Sequence, residues 1–146
     1  LTQQLAAHRA TLLAKVDGLP GEDLRRPMTA SGLNLLGLVR HLTVTEHGWF
    51  LVVLAGEDDP YADLVGDAEF HVDDDRPVAE VLAGYRDTCL RADAAIAARD
   101  LDDVVTTPWG AEVNLRAILV HMVQETARHN GHADLMREAI DGTTGS

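Results

Sequence analysis

Residues 115–141 have the sequence LRAILVHMVQETARHNGHADLMREAID, in which apolar side chains recur at the three- and four-residue spacing of a helix. Asn114 precedes this stretch and is a favoured N-cap residue. Gly142 follows it and can adopt the left-handed conformation that ends many helices. The sequence therefore predicts a helix over 115–141. Its apolar arc consists of Leu115, Ile118, Met122, Ala133, Met136 and Ile140.

Three earlier stretches have the same hydrophobic period and predict helices over about 1–17, 34–55 and 77–98. The second is expected to begin at an N-cap, Asn34 or Ser31, and the third at Pro77, whose ring suits the first position of a helix. Between the helices the chain is rich in Asp, Gly and Pro. We therefore expect an all-α protein, a four-helix bundle that occupies residues 1–146 as one domain.

Two of the connections between the predicted helices are long. Residues 57–76 are acidic and exceed the usual length of a connection, which predicts that they cross the bundle end or cover a site. Residues 100–113 contain Thr107-Pro108-Trp109-Gly110, a turn signal with possible extended flanks.

The charge of the chain excludes several classes of partner. Asp and Glu number 24 against 12 Lys and Arg, so the formal net charge is −12. This deficit argues against binding to a nucleic-acid backbone or to a membrane through a basic patch. No apolar run reaches the ~18 residues of a membrane span, and we expect a cytoplasmic protein without a secretion signal. The single cysteine, Cys89, excludes an internal disulfide and a four-cysteine zinc site, and is expected in the core.

Two polar residues interrupt the apolar arc of the last helix. Glu125 and His129 continue the steps from Met122 to Ala133, where a charge is costly unless it is paired or bound to a cation. Their spacing of four places both side chains on one face, as a helix offers two ligands to one metal ion. His41 lies at the edge of the apolar arc of the second helix. Spacing alone leaves two interpretations open: a metal site, or a buried Glu–His pair that fixes the helix register.

Other residues near this face leave the ligand set ambiguous. His121 is a possible replacement for His41, and His132 is better placed as an outer partner or at an entrance. Glu46 lies within the arc of the second helix, where it either supports His41 or pairs with an arginine.

The remaining candidates have simpler interpretations. We expect His47 to be solvated near Arg40, His71 to lie on the surface of the acidic connection, and His8 to be structural. Arg40 and Arg128 flank the candidate ligands and could meet an anionic substrate, although pairing with surface carboxylates is at least as plausible.

Three segments carry a family resemblance: GLVRHL at 37–42, EHGWF at 46–50 and HMVQETARHNGHAD at 121–134. They resemble the DinB-like superfamily of four-helix proteins and, within it, the mycothiol-transferase-like branch. The resemblance extends over essentially the whole chain, and the 121–134 segment is its most specific part.

This resemblance implies a homodimeric four-helix bundle that binds a divalent metal through three side chains, matching His41, Glu125 and His129. Many members carry histidine where this chain has Glu125, whereas thiol-using isomerase relatives carry glutamate there. Two imidazoles and one carboxylate suit zinc best, and also iron or nickel.

The function implied is a metal-dependent thiol transferase, in which a low-molecular-weight thiol, mycothiol, attacks a small electrophile. The alternative is a non-catalytic protein that binds a metal or small molecule in stress or resistance. Neither alternative identifies a general base.

Overall fold

Four long helices form most of the structure, a computed structural model that describes residues 1–145. Helix α1 spans Thr2–Val16, α3 spans Leu35–Glu46, α4 spans Val78–Ala97 and α5 spans Leu115–Asp141, and a short helix α2 spans Gly21–Arg25. Helix α1 packs mainly against α5, and α3 packs mainly against α4. The predicted all-α class is confirmed. No helix among the described residues is long and apolar enough to span a bilayer.

The helix ends follow the local signals in the sequence. The side chain of Asn34, and not that of Ser31, caps α3 by accepting a hydrogen bond from the backbone N–H of Gly37 at 2.8 Å. Asn114 caps α5 in the same way, and Gly142 ends it with φ +80°. Pro77 is the cap of α4 itself, so this helix begins one residue later than predicted.

The second predicted helix, 34–55, is divided into two segments. After α3 the chain continues as a π-helix over His47–Leu54, and the N–H of Ala55 bonds to the carbonyl of Phe50 at 3.2 Å. The hydrophobic pattern did not reveal this change because the residues on both sides of it are apolar.

Both long connections contain short regular segments. In 57–76, a 3₁₀ helix over Gly66–Phe70 packs against α3. Gly37 permits this close approach, since a Cβ there would lie 2.5 Å from the carbonyl oxygen of Phe70. In 100–113, strands β1 (Val104–Thr106) and β2 (Glu112–Asn114) form an antiparallel hairpin, so the predicted extended flanks are confirmed.

The apolar arcs of the helices meet in two clusters. One includes Leu12, Leu36, Leu38, Tyr85 and Met136, and is built by α1, α3, α4 and α5. The other lies around the π-helix and the first half of α5. Its fully buried members include Phe50, Ala92, Leu115, Leu119 and Met122. The predicted arc of α5 is therefore buried, except that Ile140 is half-buried.

A buried ion pair crosses between α1 and α3. Nε and Nη2 of Arg9 donate to the two carboxylate oxygens of Glu46 at 2.7 and 2.6 Å, and the Glu46 side chain is 0% exposed. Burial raises the pKa of Glu46 above its usual value, and the contact with Arg9 opposes this shift. Of the two roles considered for Glu46, the structure selects the pairing with an arginine.

Replacing Glu46 should strongly destabilise the fold. Glu46→Ala removes the main partner of a buried guanidinium, and we expect the free energy of unfolding to fall by about 3–5 kcal/mol in urea titrations. The control is Asp102→Ala, which removes the exposed partner of Arg116 and should cost at most about 1 kcal/mol. An equally small loss for both variants would contradict a structural role for the Arg9–Glu46 pair.

Candidate metal centre

The three candidate ligands from two helices meet at one point. Nε2 of His41 lies 3.2 Å from Oε1 of Glu125, and Nε2 of His129 lies 3.0 Å from the same oxygen. One ligand atom from each residue lies within 4.8 Å of the others. The three side chains are 8–12% exposed. The structure thus brings together the residues that the sequence singled out.

The charge state of Glu125 and His129 favours binding of a cation. Burial alone would raise the pKa of Glu125, but hydrogen bonds to His41 and His129, together with nearby positive charge, hold this pKa below its usual value. Burial lowers the pKa of His129, and the neighbouring His41 lowers it further. An ionised carboxylate and a neutral imidazole are the forms that bind metals.

Each imidazole has a second partner on its other nitrogen. Nδ1 of His41 lies 3.0 Å from Oε2 of Glu69, and the ring of Phe70 stacks on the His41 ring with centroids 4.1 Å apart. Nδ1 of His129 lies 3.3 Å from Nδ1 of His132. Partners of this kind orient the histidine ligands of metal sites.

The surroundings of His41 provide a test of whether a metal fits. Both of its ring nitrogens face carboxylate oxygens, of Glu69 and of Glu125. A neutral imidazole has only one N–H to donate, so His41 can donate to one of these carboxylates, and a cation shared with Glu125 would satisfy the other contact. Two imidazoles and a carboxylate are a suitable donor set for zinc, iron or nickel.

The other polar candidates lie outside this cluster. Glu46 is engaged by Arg9 and does not reach His41. His121 is exposed, with its ring centroid 5.0 Å from that of Trp49, so it does not replace His41. His132 takes the position of an outer partner, as one of its interpretations predicted.

The expectation that His47 is solvated is wrong. His47 is buried, and its ring packs edge-on against Tyr61 at a centroid distance of 5.3 Å. The cause is nonlocal, because the connection 57–76 places Tyr61 against the π-helix. His71 is exposed, as predicted, whereas His8 is half-buried and its carbonyl oxygen accepts a hydrogen bond from Asn130.

The two flanking arginines have partners within the chain. Nη1 of Arg128 lies 3.3 Å from Oε2 of Glu125, the oxygen that does not face His129. The Arg40 guanidinium lies 4.7 Å from the centroid of the Tyr61 ring. Arg128 therefore contributes positive charge to the cluster, and Arg40 packs against the connection 57–76.

Sequence reasoning missed Glu69 and Phe70. Both lie in the acidic connection, where Glu69 is one carboxylate among many and no period marks it. The length of this connection was the only available signal, since it predicted that the segment crosses the bundle end or covers a site. The contacts with His41 show that the segment lies over the cluster.

Two cavities lie near the cluster, one lined by His129 itself and the other by two residues that contact His41. The polar cavity, of about 510 Å³, is lined by His129 and His132 together with Ser31, Asn34, Asp67 and His71. The aromatic cavity, of about 480 Å³, is lined by Thr45 and Glu69 together with Trp49, Tyr61 and Trp109. Both volumes lie within the range of about 300–1,000 Å³ that is usual for small-molecule sites.

Comparison with protein-family models matches residues 1–142 to the mycothiol-S-transferase family. A comparison with curated proteins gave no match. The family match covers nearly the whole chain and agrees with the resemblance carried by residues 37–42, 46–50 and 121–134. The chain therefore belongs to the mycothiol-S-transferase family, a family of thiol-related transferases.

Proposed function

We propose that the protein is a divalent-metal-dependent thiol S-transferase, in which His41, Glu125 and His129 hold the ion. The observation that carries the proposal is the convergence of two imidazole nitrogens from different helices on one carboxylate oxygen, at 3.2 and 3.0 Å. The family match supports the thiol. Zinc is the first choice for the metal, and iron or nickel are the alternatives.

Three protein ligands leave room for a substrate atom, as in catalytic zinc sites. When bound, a divalent cation there supplies a positive charge that stabilises a substrate sulfur as its thiolate. The overall transfer forms one carbon–sulfur bond, and the bond broken is that to the leaving group of a halide, a C–O bond of an epoxide or the π bond of an activated alkene. The thiol proton passes to solvent, to the oxygen of the opened epoxide or to the alkene carbon that receives the electron pair.

The protein does not need a nucleophile of its own. Burial raises the pKa of the Cys89 thiol to about 12, with a further contribution from Glu46, so this cysteine remains protonated at neutral pH. Cys89 packs against the core, which agrees with its predicted role. The attacking sulfur therefore belongs to the substrate thiol.

The residues around the cluster orient the two imidazoles and line a cavity for the thiol. Glu69 and Phe70 hold the ring of His41, and His132 holds that of His129, so that each Nε2 faces the common point. The polar cavity reaches His129 and offers hydroxyl, amide and carboxylate groups. These groups suit mycothiol, a hydroxyl-rich sugar thiol, and we assign the thiol to this cavity.

Removing one ligand should remove the metal and leave the fold. Protein purified without a histidine tag should contain about one divalent ion per chain by mass spectrometry. His129→Ala should lose it with an unchanged helical circular dichroism signal, because one of three ligands is gone. The matched control is His121→Ala, on the same helix but outside the cluster. Full metal retention in His129→Ala would reject the ligand assignment.

Thiol transfer should depend on the metal. We expect consumption of mycothiol with a panel of alkyl halides, epoxides and activated alkenes, loss of this activity on chelation, and its recovery when zinc is returned. Tight binding of thiol or electrophile without product would instead support the non-catalytic alternative. The homodimer implied by the resemblance stays a prediction, which sedimentation of the same samples tests.

Glu69 should strengthen metal binding without being a ligand. Glu69→Gln replaces the carboxylate that faces Nδ1 of His41, and the affinity for zinc should fall by about 10–100-fold. Competition with a chromogenic chelator measures this affinity. The control is Asp63→Asn, which removes an exposed carboxylate from the same connection. An unchanged affinity in Glu69→Gln would show that Glu69 does not support His41.

A further inference from the structure

We propose that the aromatic cavity binds the electrophile, and that this electrophile is a planar aromatic compound without an anionic group. The inference rests on the proposed function, which requires two substrates at one site. It specifies which cavity each substrate occupies and the chemical class of the second substrate.

Three parts of the chain build the aromatic cavity. One wall comes from the end of α3 and the π-helix, with Thr45, Trp49 and Val52. The connection 57–76 contributes Tyr61 and Leu64, and the turn of the hairpin contributes Trp109. Most of this surface is apolar, so an apolar ligand that enters the cavity gains the free energy of leaving water.

Two indole rings form a corner of the cavity. The rings of Trp49 and Trp109 meet at 90° with centroids 5.7 Å apart. A planar ring can contact the face of one indole and the edge of the other, which are the two favourable geometries of aromatic pairs. Trp109 is a large hydrophobic side chain that is 65% exposed. A ligand in the cavity would cover part of this surface.

The cavity adjoins the metal cluster on the side of His41. Oγ of Thr45 lies 3.5 Å from Nε2 of His41, and Glu69, which also lines the cavity, contacts Nδ1. The polar cavity instead reaches the cluster through His129. The two cavities have different linings near the candidate ligands, so each can hold one of two reacting substrates.

The charges of the lining disfavour an anionic ligand. The lining carries the carboxylates of Asp59 and Glu69 and, among the residues described, neither lysine nor arginine. An anionic substituent would meet like charge in a partly enclosed space. Tyr61 is held by Arg40 and His47, which gives this wall a fixed position.

Intrinsic fluorescence reports directly on this cavity, because Trp49 and Trp109 are the two tryptophans of the chain. The probe is 1,3-dinitrobenzene, a planar quencher without a leaving group, titrated into the metal-loaded protein. We expect saturable quenching, and a dissociation constant at least about tenfold higher for anionic 3,5-dinitrobenzoate. Linear, non-saturating quenching by 1,3-dinitrobenzene would overturn the proposal, and so would equal binding of both compounds.

Filling the cavity provides a second test that keeps both tryptophans. Gly48 lines the cavity, and a Cβ there would meet no atom within 4 Å, so Gly48→Leu places a side chain in open space. The matched control is Gly84→Leu, at an exposed glycine of α4 with equally open surroundings. Gly48→Leu should weaken binding of 1,3-dinitrobenzene by at least about tenfold, with metal content unchanged, and Gly84→Leu should bind as the unmodified chain does. Equal binding by both variants would overturn the proposal.

These outcomes are separate from the failure of the proposed function. If the protein conjugates a thiol to an electrophile but shows no saturable quenching, the transferase function is supported and the aromatic cavity is rejected as the electrophile site. If quenching is saturable and Gly48→Leu abolishes it, but no thiol is conjugated, the cavity is supported as a binding site and the transferase function is rejected.

Discussion

The oxygen of Glu125 that faces both His41 and His129 is the contact on which the candidate site depends. It joins α3 to α5 between residues 84 positions apart in the sequence. A carboxylate in this half-buried position costs free energy unless positive charge compensates it. The two imidazoles and the guanidinium of Arg128 supply part of that compensation, and His41 also contacts Glu69. A divalent cation bound here would satisfy all of these groups together.

The rest of the fold holds this contact in place. The caps at Asn34 and Asn114 determine where α3 and α5 begin, and therefore where the candidate ligands lie along each helix. The Arg9–Glu46 pair ties α1 to the end of α3, five residues beyond His41. Gly37 admits the 3₁₀ helix that carries Glu69 and Phe70 onto His41. The helix caps, the Arg9–Glu46 ion pair and the close approach at Gly37 together determine the position of the His41 imidazole.

Local patterns predicted much of the fold and the central cluster. The period of apolar side chains and the caps act within a few residues, so α1, α4 and α5 lie close to their predicted bounds, and α3 together with the π-helix occupies the predicted 34–55. Glu125 and His129 were identified because they are polar residues within the apolar arc of α5. The π-helix changes register within an apolar run, and Glu69, Phe70 and the burial of His47 depend on the path of the connection 57–76. No local signal marks these features, and contacts between distant segments place Glu69 and Phe70 and bury His47.

The most direct test of the account is anomalous X-ray diffraction from crystals of the full chain, recorded above and below the zinc absorption edge, with parallel data at the iron and nickel edges. We expect one strong anomalous peak within bonding distance of Nε2 of His41, Nε2 of His129 and a carboxylate oxygen of Glu125. Difference density without any anomalous peak, with both imidazoles still hydrogen-bonded to Glu125 after incubation with these metals, would contradict it.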